Sequence, residues 1–405
     1  MIKTEIIIVG GGMVGGALAC ALAQANFKVH LIEKDPEPEA LTEDYDLRVS
    51  ALSRASQRLL ENIGCWQEMV KKRVFPYQKM AVEDAHSFGH IYFDAAEIGE
   101  PNLGHIVENN LLVKTLADLI AAHPHIETHY NQQVSKIETE TNKNEVSVTL
   151  NNGQEISAEL IVAADGGDSL IRELAGLTTS GWLYDQHAVV ATVETEKSNQ
   201  ATAWQRFNPT GPLALLPLDE HHCSIVWSTS PTLAHSLKNM TDEAFCYQLN
   251  KASSQKWGKI IATSQRASFP LRYQHAQRYI QTGLALVGDA AHRVHPLAGQ
   301  GVNLGLLDIA CLTEILIQSR EKQIPLGHQR GLRAYERARK SENTLMLNAM
   351  DLFKRLFSNN VYPLRIARNL ALNTVNNAVP IKNFFIKQAL GNRQDLPPLA
   401  QKIFK

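Results

Sequence analysis

An α/β fold, with an antiparallel sheet inserted into it and helices at its C-terminal end, is what this 405-residue sequence predicts. Three observations carry the prediction. A short apolar run near the start leads through a glycine-rich turn into an Ala-rich helix. A long middle stretch changes to two-residue alternation with aromatic and β-branched content. Beyond residue 330 both textures give way to helical spacing.

The run IIIV (6–9) is short and β-branched, as a buried parallel strand is. GGGMVGG (10–16) turns the chain into a helix over 17–25, and KVHLIEK (28–34) reads as a second strand ending in an acid. Together they make a βαβ unit of about 30 residues. LIVA (160–163) and LALV (284–287) are two more buried strands. Between them, from about 179 to 275, HAVVATVET (187–195) and TAWQRF (202–207) alternate. LALLPL (213–218), a polar DEHH and CSIVW (223–227) form a hairpin. The implied division gives 1–75, 101–178 and 276–330 to a discontinuous nucleotide-binding domain and 76–100 with 179–275 to a sheet domain. A helical region covers 331–405. No internal repeat or low-complexity segment interrupts this plan.

The chain is long enough for two or three domains, and its 44% hydrophobic and 20% charged residues are ordinary for a globular protein. A formal charge of −1 gives no global field for nucleic acid. The five cysteines are scattered, with no CxxC and no metal-like spacing, which argues for a reducing compartment and against a disulfide framework or zinc site. The N-terminus could pass for a signal peptide, but Glu5 and the glycine turn fit strand–turn–helix better. No run of about 18 apolar residues is evident, so a cytoplasmic address without a membrane span is expected. The segment 346–405 carries nine Lys and Arg against two Asp. It reads as a helical cap with a solvated basic face, or as a surface that docks to membrane lipid or a partner protein.

Gly10, Gly12 and Gly15 are spaced as a dinucleotide fingerprint in its proper context, after a strand and opening a helix. Gly10 permits the turn, Gly12 lets a pyrophosphate approach the backbone, and Gly15 packs helix on strand. Glu33, ending the second strand, can accept hydrogen bonds from a ribose diol, so the ligand is FAD or NAD rather than NADP. The strand at 160–163 ends in Asp165-Gly166, and that at 284–287 in Gly288-Asp289 followed by small residues. Pro296, Gly299, Gln300, Gly301, Val302 and Asn303 then offer backbone N–H groups at a helix start, a seat for an electron-poor ring edge. One long ligand gripped from both ends explains the pattern economically: the ADP half of FAD on the first turn, the ribityl chain on Asp289, the isoalloxazine on the late glycine loop. No second fingerprint exists for a nicotinamide nucleotide, so NAD(P)H would visit transiently.

With GGGMVG, ADGGDSLIR (164–172) and GDAAHRVHPLAGQGVN (288–303) at these separations, the sequence resembles the para-hydroxybenzoate-hydroxylase type of flavin monooxygenase. Along nearly its whole length it resembles the ubiquinone-biosynthesis hydroxylases, nearest those acting at C5 or C6 of a prenylated ring. DLRVSALSRAS (46–56), GHIVENNLL (104–112), FPL (269–271) and the tail MDLF…FSNN…PLRIARNL (350–370) carry this resemblance. FDAAE (93–97) and MDLF…FSNN point to the C6 enzymes, GHIVEN and QDLPPLAQ (394–401) to the C5 enzymes.

The resemblance implies a Rossmann-like FAD-binding domain and an aromatic-ring monooxygenase of a polyprenylated phenol or benzoquinol. NAD(P)H would reduce the flavin, and O₂ would add at C4a to give a hydroperoxide that passes one oxygen to the ring. It places Arg48 near the ribityl and phosphate region and Asp165 in a motif linked to FAD and NAD(P)H. Pro296 through Asn303 would surround the ring. Two departures stand out: Gly167 where Ala is usual, and Asn109 where many relatives carry Arg or Gln.

Trp204, Phe207 and Trp227 are candidates to line an apolar substrate tunnel, or else plain core between sheet and helices. His292 and His295 beside the glycine loop are candidates for a general base, or for hydrogen bonds to nearby backbone. Two other functions stay open at this point. One is a flavin dehydrogenase or oxidase of another aromatic substrate. The other is a non-catalytic FAD-containing assembly subunit of the ubiquinone pathway.

Overall fold

A computed structural model of the chain describes residues 2–85, 90–140, 145–293, 301–358 and 396–402, the side chains of 140 and 349–358 excepted. Most of the basic C-terminal run lies outside these residues.

Ile6–Val9 is buried at every position and occupies the middle of a six-stranded sheet. Across that sheet the order is Ile280–Gln281, Leu284–Leu286, Leu160–Ala163, Ile6–Val9, Val29–Ile32 and Ile126–His129. Pairing is parallel throughout except at the Ile280–Gln281 edge. Strands buried on both faces have no reason to alternate, which is why their sequences read as unbroken apolar runs. The helix Met13–Gln24 begins four residues before the Ala-rich run, because Gly15 and Gly16 are already inside it and buried. Their lack of side chains lets the first turn sit close against strand and neighbouring helix.

The insertion is a nine-stranded sheet built around the long strand Thr179–Thr195. That strand pairs antiparallel with His222–Thr229 on one side and Ala267–Ala276 on the other, with a register shift between Leu183 and His187. The expected hairpin is present as Gly211–Pro217 and His222–Thr229, with Leu213 opposite Trp227. One junction departs from the antiparallel rule: Lys79–Asp84 joins Thr202–Asn208 in parallel. His90–Asp94 then pairs antiparallel with Lys79–Asp84.

Two helices, Pro231–Asn239 and Asp242–Ser253, correct the reading of 179–275 as sheet alone. Their signals are local. Ser230 accepts a hydrogen bond from Leu233 N with Pro231 at the first turn, and Thr241 accepts one from Ala244 N ahead of Asp242 and Glu243. They cover one face of the sheet, where Phe245 and Leu249 pack with Trp204, Trp227 and Trp257. The opposite face meets the nucleotide-binding part through Met80, Phe93, Ala203, Leu216 and Val226, packed with Ala51, Tyr77 and Ile106. Tyr45 Oη donates to Asp219 Oδ2 at 2.8 Å across this junction.

The helix Gly301–Glu321 is long and apolar enough to cross a membrane by length and composition, with mean hydropathy 1.4. Here 67% of that window is buried inside the protein, and Asp308 in its middle is fully enclosed. It is a core helix, packed between Met13–Gln24 and the helix Gln329–Ser358.

Candidate functional site at the carboxyl ends of the parallel strands

Three adjacent parallel strands, Ile6–Val9, Leu160–Ala163 and Leu284–Leu286, end side by side. Their trailing turns therefore form one continuous crevice: Gly10–Gly12, Asp165–Gly167 and Gly288–Asp289. Ligands of open α/β sheets bind in this place. Glu33 closes the row at the end of the neighbouring strand.

The first turn is set by what its glycines avoid. Gly10 holds φ +105°, and a Cβ there would stand 2.4 Å from Ala164 O. A Cβ on Gly15 would stand 1.9 Å from Gly10 O. Gly12 differs, since a Cβ there would meet nothing within 4 Å, so the space above the turn is open for a ligand's phosphates. Glu33 is held across the turn: Gly11 N donates to its Oε2 at 2.5 Å and Asp35 N to its Oε1 at 2.9 Å.

Arg172 ties the second turn to the third. Its Nη1 donates to Ala290 O at 2.8 Å and its Nη2 to Gly167 O at 2.9 Å. Asp165 Oδ2 accepts from Ile171 N at 3.1 Å, while its buried Oδ1 has no protein partner among the described residues. At Gly167 a Cβ would lie 3.0 Å from Arg293 Cδ, the flexible part of a side chain. Alanine there would displace Arg293 rather than backbone.

Asp289 is open to solvent although protein surrounds it, the signature of a cleft floor. That surrounding depth pushes its carboxyl above the usual range, against the pull of His292, Arg293 and Arg48. Arg48 therefore shares the cleft with Asp289, and its guanidinium stands 5.8 Å from the centre of the Phe269 ring on the inserted sheet. Asn109 N donates to Arg48 O at 2.9 Å, and Ser50 Oγ donates to Asn109 Oδ1 at 2.7 Å. Asn109 is thus next to Arg48 with its amide oxygen engaged.

Gly301 and Val302 open the helix at the cleft. Asn303 uses its amide as a brace: Oδ1 accepts from Ser53 N and Ser56 Oγ, and Nδ2 donates to Ala51 O. A ligand at this helix start would meet backbone rather than that side chain. Pro296, Gly299, Gln300 and His295 lie outside the described residues.

His292 is buried, with Nε2 2.5 Å from Asp308 Oδ2 and Nδ1 unpartnered among the described residues. Asp308 also accepts from Gly288 N, Arg339 Nε and Asn343 Nδ2. Burial acts to raise its carboxyl, but His292 and Arg339 outweigh it and hold it down at about 2. Tyr279 extends the network through Asn343 and His275. Sequence reading missed this network. A lone Asp inside the apolar LGLLDIACL was the available signal, but nothing in sequence names Arg339 as its partner.

Trp204 and Trp227 lie in the core on the helix-covered face, away from the cleft. Phe207 shares the face of Ala203 instead. Phe269, Tyr184 and Leu271 form a further apolar cluster with Val226, close to Arg48.

The arrangement fits an elongated dinucleotide: an open phosphate turn, a carboxylate at each end of the crevice, and one buried unpartnered carboxylate oxygen. Comparison with known proteins agrees. The family described as FAD binding domain matches residues 3–349. The 3-demethoxyubiquinol 3-hydroxylase of Escherichia coli strain K12 is 39% identical, over 96% of this chain and 98% of that protein. The mitochondrial ubiquinone biosynthesis monooxygenase COQ6 of Danio rerio is 36% identical, over 93% of this chain and 88% of its own length. Among solved structures, p-nitrophenol 4-monooxygenase from Pseudomonas putida DLL-E4 superposes with a TM-score of 0.79, covering 97% of this chain and all of that one, at 17% identity.

Proposed function

Starting from the chain's membership of the FAD-binding-domain family, we propose that it hydroxylates a ring carbon of a polyprenylated phenol or benzoquinol in ubiquinone biosynthesis, with NAD(P)H as transient reductant and O₂ as co-substrate. The observation that supports this most strongly is the 39% identity to the demethoxyubiquinol hydroxylase across nearly the full length of both chains.

When bound, FAD supplies the activation of dioxygen; the protein supplies position and a dry surrounding. The open backbone over Gly12 would take the pyrophosphate and Glu33 the adenosine ribose. Asp289 would take the ribityl hydroxyls, with Arg48 nearby. Gly288, Gly301 and Val302 would meet the flavin ring through backbone, together with Pro296, Gly299, Gln300 and Asn303. Asp165 would contribute its unpartnered oxygen, and Asn109 would lie beside Arg48. The apolar face carrying Leu216, Val226 and Phe269 would lie against the substrate ring and exclude water. His292 is locked by Asp308 and would act by positioning the Gly288–Asp289 turn.

A polyprenylated ring resides in lipid, so the encounter is placed at a membrane surface, with the basic segment 346–405 as the contact. The test is mass spectrometry of lipid-extracted quinones from cells lacking this chain. The expected result is a prenylated intermediate short of one ring oxygen, whose identity names the carbon. A normal quinone profile on deletion, with no second copy of the gene, would refute the assignment.

A further inference from the structure

At the far edge of the six-stranded sheet, three side chains with ligand chemistry share one face. In the parallel pairing of Val29–Ile32 with Ile126–His129, His30 stands opposite Glu127, and Ile32 opposite His129. Alternation along each strand therefore puts His30, Glu127 and His129 on the same side. His30 Nδ1 is 2.9 Å from His129 Nε2. The Glu127 carboxylate reaches within 3.5 Å of His30 Nε2 and 3.7 Å of His129 Nε2. One ligand atom from each residue falls within a 4.8 Å cluster.

The surroundings suit a metal ion. Both imidazole side chains are largely buried, at 9% and 10% exposure, while Glu127 is open at 59% and leaves a path for entry. Two imidazoles and a carboxylate suit zinc or copper rather than calcium or magnesium. Tetrahedral ligation would set the two nitrogens about 3.3 Å apart, a small opening from their present contact.

We propose that His30, Glu127 and His129 form a binding site for a divalent transition-metal ion, Zn²⁺ in the first instance, with water completing its coordination. The site stands on strands remote from the nucleotide crevice's reactive end, and no step of ring hydroxylation passes through it. Its nearest link to the cofactor is mechanical: Glu33 N donates to His129 O at 2.9 Å, so an ion here would pin the edge strand beside the adenosine end.

The experiment uses untagged full-length protein freed of metal with chelator, titrated with Zn²⁺ by calorimetry and with Cu²⁺ by electron paramagnetic resonance. The expected result is one saturable ion per chain, with coupling to two nitrogens. His129→Gln should weaken Zn²⁺ binding about tenfold or more and remove one nitrogen coupling. Glu127→Gln, a surface change that spares the fold, should weaken Zn²⁺ binding while keeping both nitrogens. Absence of saturable binding in the native chain would show a plain histidine–histidine hydrogen bond and overturn the proposal. Native affinity retained in Glu127→Gln, or in a folded His129→Gln, would overturn it equally.

Discussion

His292 and Asp308 meet in the protein interior, Nε2 to Oδ2 at 2.5 Å, with neither side chain more than 1% exposed. The second carboxylate oxygen is held by Arg339 Nε at 2.8 Å and Asn343 Nδ2 at 3.0 Å. Asp308 therefore shares with Glu342 the neutralising of the buried Arg339 guanidinium, and it also fixes the imidazole beside the Gly288–Asp289 turn. Asp308→Asn leaves Arg339 beside a neutral amide on its buried side, with only the more exposed Glu342 still paired to it. It should cost about 3–5 kcal/mol, as removal of one partner from a buried pair does. The denaturant midpoint would show it, and a loss below about 1 kcal/mol would mean Glu342 alone suffices for Arg339.

His105 and His275 titrate against folding. Burial comes first at both, helped by Arg54 at His105 and by His292 and Lys340 at His275, and brings each to about 4. An unfolded histidine takes its proton near 6.5, so between about pH 6.5 and 4 the unfolded chain binds more protons. Stability should fall as pH drops through that window. Asp308 is shifted in the same direction, down to about 2, so its contribution is whole above its ordinary value of 3.8 and is lost below that as pH falls toward about 2. The melting temperature should decline from pH 7 to 4.5, and His275→Gln should flatten the decline. A level profile in the native chain would contradict this assignment.

The glycines of the first turn should separate binding from folding. Gly12→Ala adds a methyl into open space, so the fold should hold while FAD affinity drops about tenfold or more. Gly15→Ala drives a methyl into Gly10 O and should destabilise the protein by about 1–3 kcal/mol. Thermal melts of the apoprotein and fluorescence titration with FAD read the two effects independently.

On the inserted sheet, Trp227 and Phe269 should behave differently. Trp227→Ala opens a cavity in the helix-covered core and should cost about 3–5 kcal/mol with little change in KM. Phe269→Ala, on the half-buried face near Arg48, should raise KM for a prenylated substrate at smaller cost in stability. Equal KM values in both variants would remove the Phe269 face as the substrate surface.

Much of the framework was legible because its signals are local. A strand, a Gly10–Gly15 turn and a helix are contiguous, and so is each strand-to-Asp turn at Asp165 and Asp289. What sequence could not show is adjacency. Arg172 joins the two Asp turns, Asn303 braces Ser53 and Ser56, and His30 faces His129, each across separations that no periodicity encodes. The sheet faces were equally hidden. Trp204 and Phe207 look alike as aromatic positions on one strand, but they point to opposite sides because three is an odd number of steps. The two helices at 231–253 were signalled by their caps, though the alternating segments around them dominated the reading.

The row of strand ends that makes the crevice also fixes when it can exist. Leu160–Ala163 receives Leu284–Leu286 as its neighbour only after the whole intervening sheet has been made. At about 5–20 residues per second that delay is on the order of ten seconds. During it the nascent chain carries an apolar strand with one bare edge, a template for mispairing. Asp289 and the glycine loop emerge later still. The cofactor thus cannot shepherd early folding of this chain; it can only reward a fold that is already nearly complete.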